Sequence, residues 1–189
     1  MASDKREAVE RLLVQAIKLQ FSDGDPYPIH LLLMSSMRIC RDVLKSQGLT
    51  DDIDKIIRPE KRGEFNKTFY SLAAFLKHAD RDADAFFEPS PDLEKGNEML
   101  IMIVTVLLRD VFQTNNRNLF VHLATLYNMK RYQGYFLFDA EARRAFDQIL
   151  NAYDCTQLHD AICTAAKQGP SFFGPQSEMN GWTWGYTKS

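Results

Sequence analysis

Paired cysteines, nucleotide-binding glycine loops and membrane-length apolar runs are all missing from this chain, and each absence removes a class of function. Its three cysteines, Cys40, Cys155 and Cys163, form neither an even disulfide framework nor a Cys-x-x-Cys pair. The N-terminus MASDKREAVE lacks the apolar stretch of a signal peptide, so a reducing cytoplasm is the expected location. The longest apolar run, residues 99–108, is interrupted by Thr105 and falls well short of the roughly 20 residues that span a bilayer. No membrane partner is expected. Serine-nucleophile elbows, Walker loops, dinucleotide-binding glycine patterns and His-Glu-x-x-His are absent too, which excludes the common hydrolase and nucleotide-binding folds. Neither a cofactor nor a metal is expected. A net charge of −2 gives no global pull on nucleic acid, so any RNA contact must come from a local basic patch.

What is present is a 189-residue chain, 45% hydrophobic and 25% charged, enough to bury one core and too apolar for a disordered chain. Residues 4–21 carry Val9, Leu12, Leu13, Ala16 and Ile17 at helical spacing. The turn from Ser22 to Pro28 ends that helix through Gly24 and two prolines, and a second helix is predicted from Ile29 to Gln47, closed by Gly48. Thr50 opens a short helix that stops before Pro59. Longer helices are predicted over 60–79, from Pro91 to Gln113 and from Arg117 to Tyr132, with Asp139 and Asp154 as further N-caps. Period-two alternation is confined to Tyr135-Phe136-Leu137-Phe138 and the tail. The reading is an all-α fold, a single-domain bundle of six to eight helices over residues 1–169. Residues 170–189 form an irregular Gly/Pro/aromatic extension.

Arg117-Asn118-Leu119-Phe120-Val121-His122 is the most chemical stretch. A helix start offers unpaired N–H groups to an anion, arginine offers phosphate a planar fork, and histidine moves protons near neutral pH. If helical throughout, the segment sets Asn118 and His122 on one face. The segment from Arg109 to Arg131 is also locally basic, whereas residues 51–98 are acidic. The motif resembles that of the HEPN superfamily of helical-bundle proteins, whose nuclease members carry Arg, a polar residue, and His about five positions on. The two helices over residues 4–47 are similar to that family's first hairpin. The resemblance implies a homodimer joining two such motifs over RNA, with His122 in acid–base chemistry, Arg117 on the phosphate and no metal. The plain alternative is a surface arginine and a satisfied histidine in a non-enzymatic binding or scaffold protein.

Other clusters compete less well. Phe75-Leu76-Lys77-His78-Ala79-Asp80 resembles a Phe-x-Lys-His-Ala-Asp segment of uncharacterised bacterial proteins, which implies kinship without an activity; Lys77, His78 and Asp80 are carried as binding candidates. The aspartates that follow fail as a calcium loop, because Ala85 and Pro91 stand where Gly and Glu are needed. Cys155, His159 and Cys163 share a helix face, but about 12 Å separates the ends of that row, too far for one zinc ion. It reads instead as a core-facing stripe. His30, Arg38, Arg41 and Lys45 lie along one side of the second helix, a solvated face or, if turned toward Arg117, a polyanion groove. In an extended tail Trp182, Trp184 and Tyr186 present their rings on one side, so Trp182 and Trp184 are expected to dock on the body or on a partner.

Overall fold

A computed structural model describes residues 4–51, 53–77, 93–113, 118–137, 144, 147–148 and 151–169. The fold is all-α. Among the described residues six helices of 14 residues or more carry it: α1 Lys5–Gln20, α2 Pro26–Ser46, α4 Arg62–Lys77, α5 Leu93–Phe112, α6 Leu119–Tyr132 and α7 Cys155–Gln168. The four-residue α3, Ile53–Ile56, links α2 to α4. Among the described residues the only extended pairing is an isolated antiparallel bridge between Ile57 and Phe136. It falls on the segment whose alternation stood out in the sequence. Arg58 N–H donates to the Tyr135 carbonyl at 3.0 Å and Leu137 N–H to that of Ile56 at 2.7 Å. No described helix is long and apolar enough to cross a membrane. The expected cap at Asp139, the expected helix start at Pro91 and the whole of 170–189 lie outside the described residues.

Local chemistry explains where the first helices begin and end. Asp4 caps α1, its Oδ1 accepting from Glu7 N–H at 2.8 Å, and Val9, Leu13, Ala16 and Ile17 then fall on the buried face. Beyond α1 the left-handed residue is Asp23, at φ 55°. Gly24 serves a different need from the positive φ expected of it. An added Cβ there would meet the Leu19 carbonyl oxygen at 2.8 Å, and Gly24 N–H donates to that same oxygen at 2.9 Å. α2 starts three residues earlier than predicted. Asp25 is its N-cap, accepting from Tyr27 N–H at 2.9 Å, so Pro26 and Pro28 both lie in the first turn, where a missing N–H breaks no helical bond. At the other end Gly48 takes φ 73° and lets Leu49 N–H reach the Leu44 carbonyl at 2.9 Å.

The centre of the bundle is α5. Every residue from Gly96 to Val104 is buried, so this stretch is enclosed on all sides and cannot be amphipathic. α1, α2, α4 and α6 pack around it. α6 runs antiparallel to α5, with Thr125 opposite Thr105 at 3.2 Å between hydroxyls and Tyr132 opposite Glu98. From α4 come Phe65, Phe69 and Leu72, and the two phenyl rings stack with centroids 3.8 Å apart. Burying side chains of this size contributes about 1.5–3 kcal/mol each. Cys40 of α2 is fully enclosed among these groups, and burial pushes its thiol up to about 12. α7 closes one flank, with Asp154 accepting from Thr156 and Gln157 N–H and Leu158, Ile162 and Ala165 facing inward.

Candidate functional site

The motif of residues 117–122 sits at the entrance to α6, and its backbone is not helical throughout. Asn118 stands outside the helix with φ −75° and ψ 104°, and its Oδ1 accepts from Val121 N–H at 3.2 Å. A short amide side chain competes for backbone donors in this way, which is why asparagine starts helices more readily than it continues them. α6 therefore begins two residues after Arg117, and Asn118 and His122 do not share a helical face. Asn118 is only 4% exposed, while Phe120 and Val121 are sealed into the core. His122, whose N–H donates to the Asn118 carbonyl at 3.1 Å, is half-buried in the first turn. One turn on, Thr125 Oγ1 bonds the Val121 carbonyl and Thr105, linking this end of α6 to α5. Arg117 lies outside the described residues, as do His78, Asp80, Trp182 and Trp184. Lys77 is the last residue of α4.

Two further expectations change. His30 is not on a charged solvent face: α4 and α5 cover the N-terminal half of α2 and bury it completely. Arg41 is half-buried and ion-paired with Asp51, and it donates to Tyr70 Oη at 3.1 Å. Only Arg38 and Lys45 remain exposed, so the four residues do not make one polyanion groove. On α7 the core-facing row is Leu158, Ile162 and Ala165, and the stripe of Cys155, His159 and Cys163 flanks it. Cys163 Sγ lies 3.7 Å from His159 Nε2, and the imidazole rests against the rings of Phe21 and Tyr127. Among the described residues no group of three His, Cys, Asp or Glu side chains is placed to hold a metal ion.

Sequence reasoning missed a dense polar network around Glu98 and Glu64. Glu98, 8% exposed, accepts from Tyr132 Oη and from Arg131 Nη1, the latter at 3.2 Å. Burial pushes its carboxyl up, against the pull of Tyr132 and Arg131, and pushes the Tyr132 phenol up as well. In the first turn of α4, Glu64 accepts from Lys95 of α5 at 2.8 Å, Tyr135 Oη at 2.7 Å and Lys61 at 3.2 Å. These donors hold its carboxyl down at about 2. Lys61 and Lys95 each stand 4.8 Å from the centre of the Tyr135 ring. Tyr132 and Tyr135 meet edge to face at 6.1 Å and join the two clusters. Asn128, also on α6, is fully buried, and neither atom of its amide finds a hydrogen-bond partner among the described residues. A signal existed for Glu98: it is the charge that abuts the longest apolar run, and antiparallel pairing of the next helix brings Arg131 and Tyr132 to it.

No protein-family model matches the chain, and no curated protein or solved structure is significantly similar to it. The functional reading therefore rests on the residues themselves.

Proposed function

We propose that the chain is a HEPN-like ribonuclease that cleaves RNA without a metal, as one half of a homodimer in the cytoplasm. The observation that supports this reading is the capped entrance to α6, where Asn118 fixes the start of the helix and sets His122 half-exposed in its first turn. Three free thiols suit a reducing compartment. Without a metal the nucleophile is the RNA's own 2′-hydroxyl. A base takes its proton, the oxygen attacks the adjacent phosphorus, and the P–O5′ bond breaks. An acid protonates the leaving oxygen, which yields a 2′,3′-cyclic phosphate and a 5′-hydroxyl end. One His122 from each copy supplies base and acid, and Arg117 stabilises the charge that builds on the phosphate. Asn118, with its amide oxygen engaged in the cap, is a positioning residue.

The test is incubation of purified protein with RNA in excess chelator. Parent protein is expected to cut RNA and leave DNA of the same sequence intact, and His122→Ala and Arg117→Ala to lose at least about 100-fold in rate. Intact RNA with the parent, or equal cutting by His122→Ala, refutes the reading. A second reading, a non-enzymatic helical binding or dimeric scaffold protein, is favoured by the burial of Asn118, Phe120 and Val121, which serves the fold alone. In that case deletion of residues 170–189 abolishes self-association in sedimentation, and no nuclease activity accompanies the dimer.

A further inference from the structure

Where α2, α4 and α5 meet, a histidine is enclosed completely between oxygen atoms. Nδ1 of His30 lies 3.0 Å from Oδ1 of Asn97 on α5, and Nε2 lies 3.1 Å from the Phe69 carbonyl on α4. The orientation of the Asn97 amide is fixed from its other end, because Nδ2 donates to the Pro26 carbonyl at 2.9 Å. Turning the amide over would set two oxygens against each other. Both ring nitrogens therefore face atoms that only accept. A neutral imidazole carries one N–H, so it serves one of these oxygens and presents a lone pair to the other.

Only the imidazolium serves both, and among the described residues no charged group acts as its counter-ion. Within five residues of His30, Phe69 and Asn97 on their own helices, the titratable groups are Tyr27 on α2, Glu64, Lys67 and Tyr70 on α4, and Glu94, Lys95 and Glu98 on α5. Glu64 is held by Lys61, Lys95 and Tyr135, Glu98 by Arg131 and Tyr132, and Tyr70 accepts from Arg41. What acts on the imidazole is burial, which lowers its pKa, opposed by the Asn97 and Phe69 oxygens; burial prevails.

We propose that His30 is an acid-operated latch: neutral, it lets α2, α4 and α5 close around it, and on proton uptake it releases α4 and admits water to the ring. α4 is the element that leaves because its link to the ring is the Phe69 carbonyl contact. The α2–α5 pair keeps the Asn97 to Pro26 bond, which does not involve the imidazole. Glu64 with Lys95 and Tyr70 with Arg41 still tether α4 on either side of Phe69, so the opening is confined to the turn that carries the Phe69 carbonyl. The sign follows from the lowered value. In the unfolded chain the imidazole titrates near 6.5, so the closed form has its full advantage above that pH and loses it as the pH falls through the lower folded value. The latch is independent of any chemistry at His122.

Hydrogen exchange on the full chain, corrected for intrinsic rates, tests this between about pH 7.5 and about pH 5. Protection of α4 is expected to fall by up to about tenfold relative to α1 for each pH unit between about 6.5 and the folded value, and to level off below it. His30→Gln removes that dependence. Asn97→Asp gives the imidazolium a carboxylate at the cost of the Pro26 bond, so that α4 loses less protection in acid than it does in the parent. Should either variant fail to fold, nitrogen-detected titration of His30 in the parent decides. A value at or above 6.5, or α4 protection that stays flat with pH, overturns the proposal.

Discussion

Glu64 and Glu98 occupy almost the same chemical setting and respond in opposite directions. Each accepts from a tyrosine hydroxyl and from at least one cation, and the two tyrosines touch. The difference is water. Glu64, with 37% of its side chain exposed, keeps its charge cheaply and is held at about 2, whereas Glu98 is enclosed and its carboxyl rises. Hydrogen bonds and cations of similar kind thus set opposite outcomes once solvent is removed from one member of the pair.

Removing the buried member should have the largest effect. Glu98→Ala leaves Tyr132 without its acceptor and opens a gap between α5 and α6, and is expected to cost about 3 kcal/mol in urea unfolding. A cost below about 1 kcal/mol would show that the buried carboxylate is dispensable, as an apolar replacement often is for buried ions. Next in size is a gain. Asn128→Leu exchanges an unpaired buried amide for a side chain of similar volume and should raise stability by about 1–2 kcal/mol, read as a higher urea midpoint at an unchanged slope. A loss of stability there would mean that the amide has a partner after all. Asn118→Ala removes the cap of α6 and should cost about 1 kcal/mol, with Asn118→Asp or Asn118→Ser restoring most of it.

Smallest is Glu64→Gln, expected to cost under about 1 kcal/mol and less in high salt, because its partners are partly solvated. The same pair of carboxylates separates cleanly by pH. Glu64 is depressed from 4.5 to about 2, so its contribution is present above 4.5 and is lost as the pH falls toward 2. Glu98 is raised, so its contribution is present below its unfolded value and is lost as the pH rises through the folded one. Difference profiles for Glu64→Gln and Glu98→Gln should therefore slope in opposite senses on the acid side of neutrality. Parallel slopes would sink the comparison.

Much of the architecture was legible in the sequence because it is written in local rules. Helical spacing located α1, α2, α4, α5 and α6, Asp154 and Gly48 marked helix ends, and the alternation at residues 135–138 marked the bridge to Ile57. Errors of a few residues arose where two rules competed, as at Pro26 and Pro28, which break a helix interior and suit its first turn. The candidate site was legible only as a string of residue types. That Asn118 would cap and not line a face depends on backbone angles, and that His30 would be buried depends on which side of α2 receives α5. Glu98, Asn97 and Asn128 were passed over because a polar residue inside an apolar stretch reads as noise until its partner on another helix is placed beside it.

The enclosure of Cys40 supplies a built-in clock. Alkylating reagents need both access and a thiolate, and this sulfur has neither while the helices stay together. Its modification by a slow reagent therefore counts whole-bundle openings, whereas Cys155 and Cys163, half-covered on α7, register the breathing of one flank. A single reaction, followed at three sulfurs by mass spectrometry, separates global unfolding from local fraying without introducing any label.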